Sequence, residues 1–183
     1  MSNRFQELAA RNDSLLIVID LQEKLMPVIH DREEVLLNTA RLVRFCELVK
    51  IPVVFTEQQK LGPTLAAVRG PSADFRAIEK VHFNCFLSPQ FSEAVTQTGR
   101  QTIILTGVES HICVAQTAIA AASRWNVHVI SDAVSSRSPA NKTVALARMR
   151  DAGAIISSTE MFIYEVLVQG GTDEFRSVLP LVK

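Results

Sequence analysis

Three residues in this 183-residue chain join a reactive group to a setting that calls for explanation. Asp20 directly follows the aliphatic run LLIVI, where an ionised carboxylate is costly unless something compensates it. Two roles fit it: a cap on neighbouring backbone, or a base at the mouth of a cleft whose apolar walls raise its proton affinity. Cys113 lies six residues after Gly107, in TGVESHICVAQTAIAAASRW, and the alanine-rich stretch from Cys113 onward favours helix. In the first turn of such a helix, unpaired N–H groups and the helix dipole favour the thiolate and could donate to an oxyanion. The plain alternative is an inert buried thiol. Lys80, flanked by apolar residues in EKVHFNCF, either snorkels to solvent or sits between Asp20 and Cys113 and stabilises their charges.

Other candidates carry less. His82, Cys85, His111 and Cys113 have metal-ligand chemistry, but HxxC and HxC match none of the common paired ligand spacings, so no metal is expected. His30 and His128 read as surface and strand residues, Cys46 as part of a helix stripe, and Trp125 as packing. The chain has no GxxxxGK[ST] loop, no GxGxxG after the first aliphatic run and no GxSxG elbow.

The elements that must position these residues are short aliphatic runs alternating with helical patterns. The runs are LLIVID (15–20), PVVFTE (52–57), EKVHF (79–83), QTIILTG (101–107), VHVISD (127–132) and AIIS (154–157). Several are apolar at consecutive positions, which marks parallel strands covered on both faces. Residues 33–50 form a helix with Leu36, Ala40, Val43 and Cys46 on one stripe and Glu34, Asn38 and Arg41 outward. Ser88-Pro89 and Ser138-Pro139 read as N-cap serine before N1 proline, and Gly99 and Gly153 as helix stops. Residues 159–169 and 172–181 read as closing helices. Repeated β-then-α units imply an α/β fold: a doubly wound, Rossmann-like sheet of about six parallel strands flanked by helices. In such sheets ligands bind beyond the C-terminal strand ends.

Length fits a single domain spanning residues 1–183. Nineteen basic side chains balance nineteen acidic ones, so no charge excess points to nucleic acid or an anionic membrane. MSNRFQELAARND lacks the apolar stretch of a signal peptide, and no run approaches the ~20 residues that span a bilayer. Three cysteines without a CxxC pair suit a cytoplasmic chain with reduced thiols.

The ordered pattern LLIVIDLQ … EKVHFNCF … TGVESHICV resembles the isochorismatase-like cysteine hydrolases along residues 13–180. Segments TEQ (56–58), LGPT (61–64), DAVSSRS (132–138) and VALARMRDAGA (144–154) make it most similar to the isochorismatase domain-containing branch. The resemblance implies a catalytic triad of Asp20, Lys80 and Cys113 acting through a covalent thioester. It implies a cis Val108–Glu109 peptide that aims the Glu109 N–H, with that of Cys113, at an oxyanion. It also implies a homo-oligomer acting on a small-molecule substrate, with a small amide or imide as the best class. Gln22, Phe83, Phe86 and His111 are candidates to line the pocket, or else to pack and brace loops.

Nicotinamidases in the superfamily hold a metal through an aspartate and two histidines after the second strand. The stretch FTEQQKLGP has neither, so no cofactor is expected. True isochorismatases often lack the nucleophilic cysteine, so Cys113 argues against isochorismate itself. Rival expectations are thiol redox chemistry between Cys113 and Cys85, isochorismatase-type ether hydrolysis, and a non-catalytic binding or assembly protein.

Overall fold

The six aliphatic runs become strands β1 (Ser14–Ile19), β2 (Val53–Gln58), β3 (Ala77–Lys80), β4 (Thr102–Val108), β5 (Asn126–Ser135) and β6 (Ile155–Ser157). They alternate with α1 (Arg32–Val49), α2 (Ala66–Arg69), α3 (Pro89–Gln97), α4 (Ala115–Ala121) and α5 (Pro139–Asp151), then close with α6 (Thr159–Leu167) and α7 (Asp173–Val182). The computed structural model describes residues 8–69 and 75–182; the N-terminal sequence reading falls partly on residues 1–7, outside them. The strands form one parallel sheet in the order β3-β2-β1-β4-β5-β6.

Every residue of β1 and β4 is buried, which accounts for their uninterrupted apolar runs. Alternation along β1 divides the core in two. Leu16 and Val18 pack with residues of α1, α6 and α7; Leu15, Ile17 and Ile19 pack with residues of α3, α4 and α5. Chain order reverses between β1 and β4, so their C-terminal ends flank the crevice where such sheets bind ligands.

Three local expectations are corrected. The buried stripe of α1 runs through Val35, Asn38, Thr39, Leu42, Phe45, Cys46 and Val49, with Val43, while Leu36 and Ala40 are half-buried at its margin, Leu36 still packed against the core. Asn38 faces inward because its Nδ2 donates to the Asp132 carbonyl at 2.9 Å. The third strand covers 77–80 rather than 79–83, since its sheet neighbour β2 ends opposite Lys80 at Gln58. Ser88 and Ser138 stand in extended N-cap positions before their prolines, yet neither side chain makes the cap hydrogen bond. Gly99 and Gly153 do follow α3 and α5 with positive φ.

Candidate active site

Asp20, Lys80 and Cys113 come together at the C-terminal edge of the sheet. Asp20 follows β1 directly, Lys80 is the last residue of β3, and Cys113 lies in a π-helical turn, Ser110–Val114, between β4 and α4. Asp20 leaves the strand with φ of 53°, a left-handed conformation that aspartate tolerates better than most residues. In the π turn the Val114 amide reaches back to the Glu109 carbonyl at 3.2 Å, and that carbonyl also accepts the Ile112 amide at 3.0 Å.

Lys80 uses all three donors of its ammonium. Nζ lies 2.6 Å from Asp20 Oδ2, 2.8 Å from Gln58 Oε1 and 3.7 Å from Cys113 Sγ. The side chains of Asp20 and Lys80 are fully buried, so each depends on the other to offset its desolvation. Asp20 is held from the other side by Thr56, whose Oγ1 donates to Oδ1 at 2.8 Å.

Burial works most strongly to discharge Lys80, but the Asp20 carboxylate with Cys85 and Cys113 together outweigh it and raise its proton affinity above the ordinary lysine value. Cys113 departs from the sequence expectation of a favoured thiolate. Burial pushes its thiol well above the usual cysteine value, the Asp20 carboxylate pushes it further, and Lys80 only partly opposes them. The thiol sits at a site only 6% exposed, where desolvation favours the uncharged form. Burial and the Asp20 carboxylate together favour the neutral thiol, while Lys80 Nζ lies 3.7 Å from its sulfur.

The Val108–Glu109 peptide is cis. Residues 14–161 match the Isochorismatase domain.

The chain belongs to the isochorismatase family.

Its relatives include the secreted isochorismatase effector Isc1 of Phytophthora sojae, 33% identical over 94% of this chain and 85% of that protein. Isochorismatase domain-containing protein 2A of Mus musculus is 32% identical over 93% of this chain and 82% of its own length. Among solved structures, the MAR1 ribonuclease from Caenorhabditis elegans superimposes with a TM-score of 0.89 at 32% identity, covering 96% of this chain and 92% of that one. The Escherichia coli YcaC gene product, described as an octameric hydrolase of unknown specificity, shares the fold with a TM-score of 0.87 at 21% identity, covering 95% and 90% of the two chains.

The four pocket candidates of this isochorismatase-family chain fall in different places. Gln22 is buried and engaged with backbone: Nε2 donates to Gln58 O at 2.9 Å and to Gly62 O at 2.6 Å, while Oε1 accepts from Gln58 N at 2.8 Å. It braces the residue that holds Lys80, one step removed from the Asp20–Lys80–Cys113 cluster. Phe86 stacks on Trp125 with ring centroids 4.8 Å apart and meets Phe91 edge-on, so it packs against the core. Phe83 is half exposed just beyond Lys80. His111 is half-buried on the π turn, with Nδ1 2.9 Å from Ser136 Oγ.

Sequence reasoning missed Thr56 and Gln58 as side chains that position the ion pair. The signal was present: both are polar and lie two residues apart, on one face at the C-terminal end of β2. It also missed the Glu109 carboxylate, buried and bonded to Arg137. Cys85 sits beside Lys80 with its thiol pushed up to about 11, chiefly by burial and against the pull of Lys80. Among the described residues no three His, Cys, Asp or Glu side chains converge as a metal site.

Proposed function

We propose that this chain is a cysteine hydrolase that cleaves a small amide- or imide-like C–N bond through a thioester on Cys113. The observation that carries this reading is the placement of Lys80 Nζ within 2.6 Å of the Asp20 carboxylate and 3.7 Å of Cys113 Sγ, in a buried setting.

Asp20 takes the thiol proton as the sulfur attacks the substrate carbon, and Lys80 stays charged to balance carboxylate and thiolate. The backbone N–H groups of Glu109 and Cys113 receive the developing oxyanion. The C–N bond then breaks, and protonated Asp20 returns its proton to the departing nitrogen. In the second half Asp20 accepts a proton from water as the water attacks the thioester, and the acid leaves with the thiol restored. Because the thiol is neutral at rest, the nucleophile forms only when a carbonyl is in place to receive it.

The three cysteines are free, which suits a cytoplasmic, reducing setting. Among the described residues no helix is long and apolar enough to cross a membrane. Met161, Tyr164 and Val168 expose apolar side chains at and after α6, which supports assembly with further copies of the chain; sedimentation velocity at two concentrations checks it.

The test is acyl transfer. 4-Nitrophenyl acetate is expected to acetylate Cys113, found by peptide mass spectrometry, and a panel of small primary amides and cyclic imides is expected to contain a substrate whose turnover Cys113→Ala abolishes. A Cys113 that takes iodoacetamide but never an acetyl group overturns the proposal.

A further inference from the structure

The side chain of Glu109 has no step in that mechanism, yet it is a carboxylate only 3% exposed, immediately ahead of the turn that carries Cys113. A buried carboxylate is costly unless it is fully bonded. Arg137 supplies the bonds. Its backbone N–H donates to Oε2 at 2.8 Å, Nε lies 3.1 Å from both oxygens, and Nη2 donates to Oε1 at 2.5 Å. Burial alone would push the Glu109 carboxyl up; the Arg137 guanidinium and amide reverse this and hold it below the usual carboxylate range.

The segment that brings Arg137 is itself tied down. Ser135 Oγ donates to His30 O at 2.7 Å, His30 N donates to Ser136 O at 3.1 Å, and Ser136 Oγ meets His111 Nδ1 at 2.9 Å. Consecutive residues 136 and 137 thus hold His111 and Glu109, on either side of Ser110. Among the described residues Arg137 makes no hydrogen bond to Asp20, Lys80 or Cys113, and those three hold one another without it.

We infer that the Glu109–Arg137 pair is a positioning device for acyl transfer: it fixes the peptide whose N–H receives the oxyanion, and leaves the reactivity of the thiol to Asp20 and Lys80. This role rests on the cysteine-hydrolase reading. The two functions separate because alkylation by iodoacetamide needs a thiolate but forms no oxyanion, whereas attack on an ester carbonyl forms one. A surface ion pair contributes little when broken. Here one partner is buried, so removing the other frees the turn to move.

The experiment compares both reactions in the full chain, wild type against Arg137→Ala and Glu109→Gln. In both variants alkylation of Cys113 is expected within about twofold of wild type. Turnover of 4-nitrophenyl acetate is expected to fall about 10- to 100-fold in kcat with KM little changed, within the range for impaired oxyanion donors. The Arg137 side chain is 58% exposed, so Arg137→Ala leaves a slot open to solvent. Added guanidinium is expected to restore part of kcat in Arg137→Ala and none in Glu109→Gln. If Glu109→Gln does not fold, Arg137→Ala with and without guanidinium carries the test. Unchanged kcat overturns the inference, as does a parallel loss of alkylation and turnover, which would mark a general loosening. If wild type alkylates but never acetylates, the hydrolase reading fails and the positioning role fails with it.

Discussion

Thr56 Oγ1 donates a 2.8 Å hydrogen bond to Asp20 Oδ1 inside the sheet edge, where neither group meets water. Two residues on, Gln58 accepts from Lys80 Nζ. One face of β2 therefore holds both members of the ion pair, because alternate strand residues share a face. With Oδ1 bonded to Thr56 and Oδ2 to Lys80, the carboxylate has one orientation toward Cys113. Thr56→Val keeps the shape and removes the donor. The expected result is a loss of about 1–3 kcal/mol in urea unfolding, the range for a buried acceptor left without its partner. Turnover of 4-nitrophenyl acetate should fall about tenfold or more as the base loses its alignment.

Asp20 and Lys80 act on the Cys113 thiol with opposite sign. Burial and the Asp20 carboxylate raise it; Lys80 lowers it. Alkylation of wild-type Cys113 by iodoacetamide is thus expected to climb from about pH 7 to 10 without the plateau that an ordinary thiol of pKa about 8.5 begins to show. Asp20→Asn should shift the curve to lower pH, and Lys80→Ala to higher pH. Turnover should drop in both, for Asp20→Asn by about 100- to 10,000-fold, since the proton acceptor is gone. Slower alkylation in Asp20→Asn across the whole range would contradict this electrostatic account.

How much of this was legible depended on how local each cause is. The strands of the sheet centre were readable because burial on both faces writes itself as consecutive aliphatic residues, as in LLIVI before Asp20. Asp20 was readable because a carboxylate directly follows LLIVI, whereas Lys80 and Cys113 each kept a plain alternative until the family resemblance joined the three. The ionisation of Cys113 was not legible. It is decided first by packing that desolvates the thiol, then by Asp20 and Lys80, 93 and 33 positions away. The inward turn of Asn38 depends in the same way on a carbonyl 94 residues distant. Gln22 illustrates the converse: nearness in sequence to Asp20 left a pocket wall and a loop brace both open, and its amide proves to be occupied by the backbone of Gln58 and Gly62.

Gly107 ties the cysteine turn to Asp20's strand through backbone alone. Its φ is +111°, and a Cβ there would lie 2.0 Å from the carbonyl oxygen of Ile19 and 2.7 Å from its nitrogen. β1 and β4 pair at that point, Ile19 opposite Gly107, so neither strand can retreat without losing register. Gly107→Ala therefore meets both a forbidden dihedral and a clash with rigid main chain. A loss of about 3 kcal/mol or more is expected. Urea unfolding measures it, and wild-type stability in this variant would show that the strands can part more easily than their pairing implies.

His128, near the start of β5, is expected to make the fold sensitive to mild acid at a place apart from the Asp20–Lys80–Cys113 cluster. Its ring is buried, Nδ1 has no hydrogen-bond partner among the described residues, and Nε2 lies 3.4 Å from Asn126 Nδ2. Burial lowers its pKa below the ordinary value, and Glu165 only partly opposes this. The unfolded chain therefore binds a proton at higher pH than the folded chain does. The resulting stability is fully present above the ordinary histidine pKa of about 6.5 and is lost as pH falls below it toward the folded value. The slope from this one group cannot exceed about 1.4 kcal/mol per pH unit. His128→Gln keeps a polar side chain but cannot take up the proton. Urea midpoints measured from neutral pH to about pH 5 should fall in wild type and fall less in the variant; parallel curves would assign the acid sensitivity to other groups.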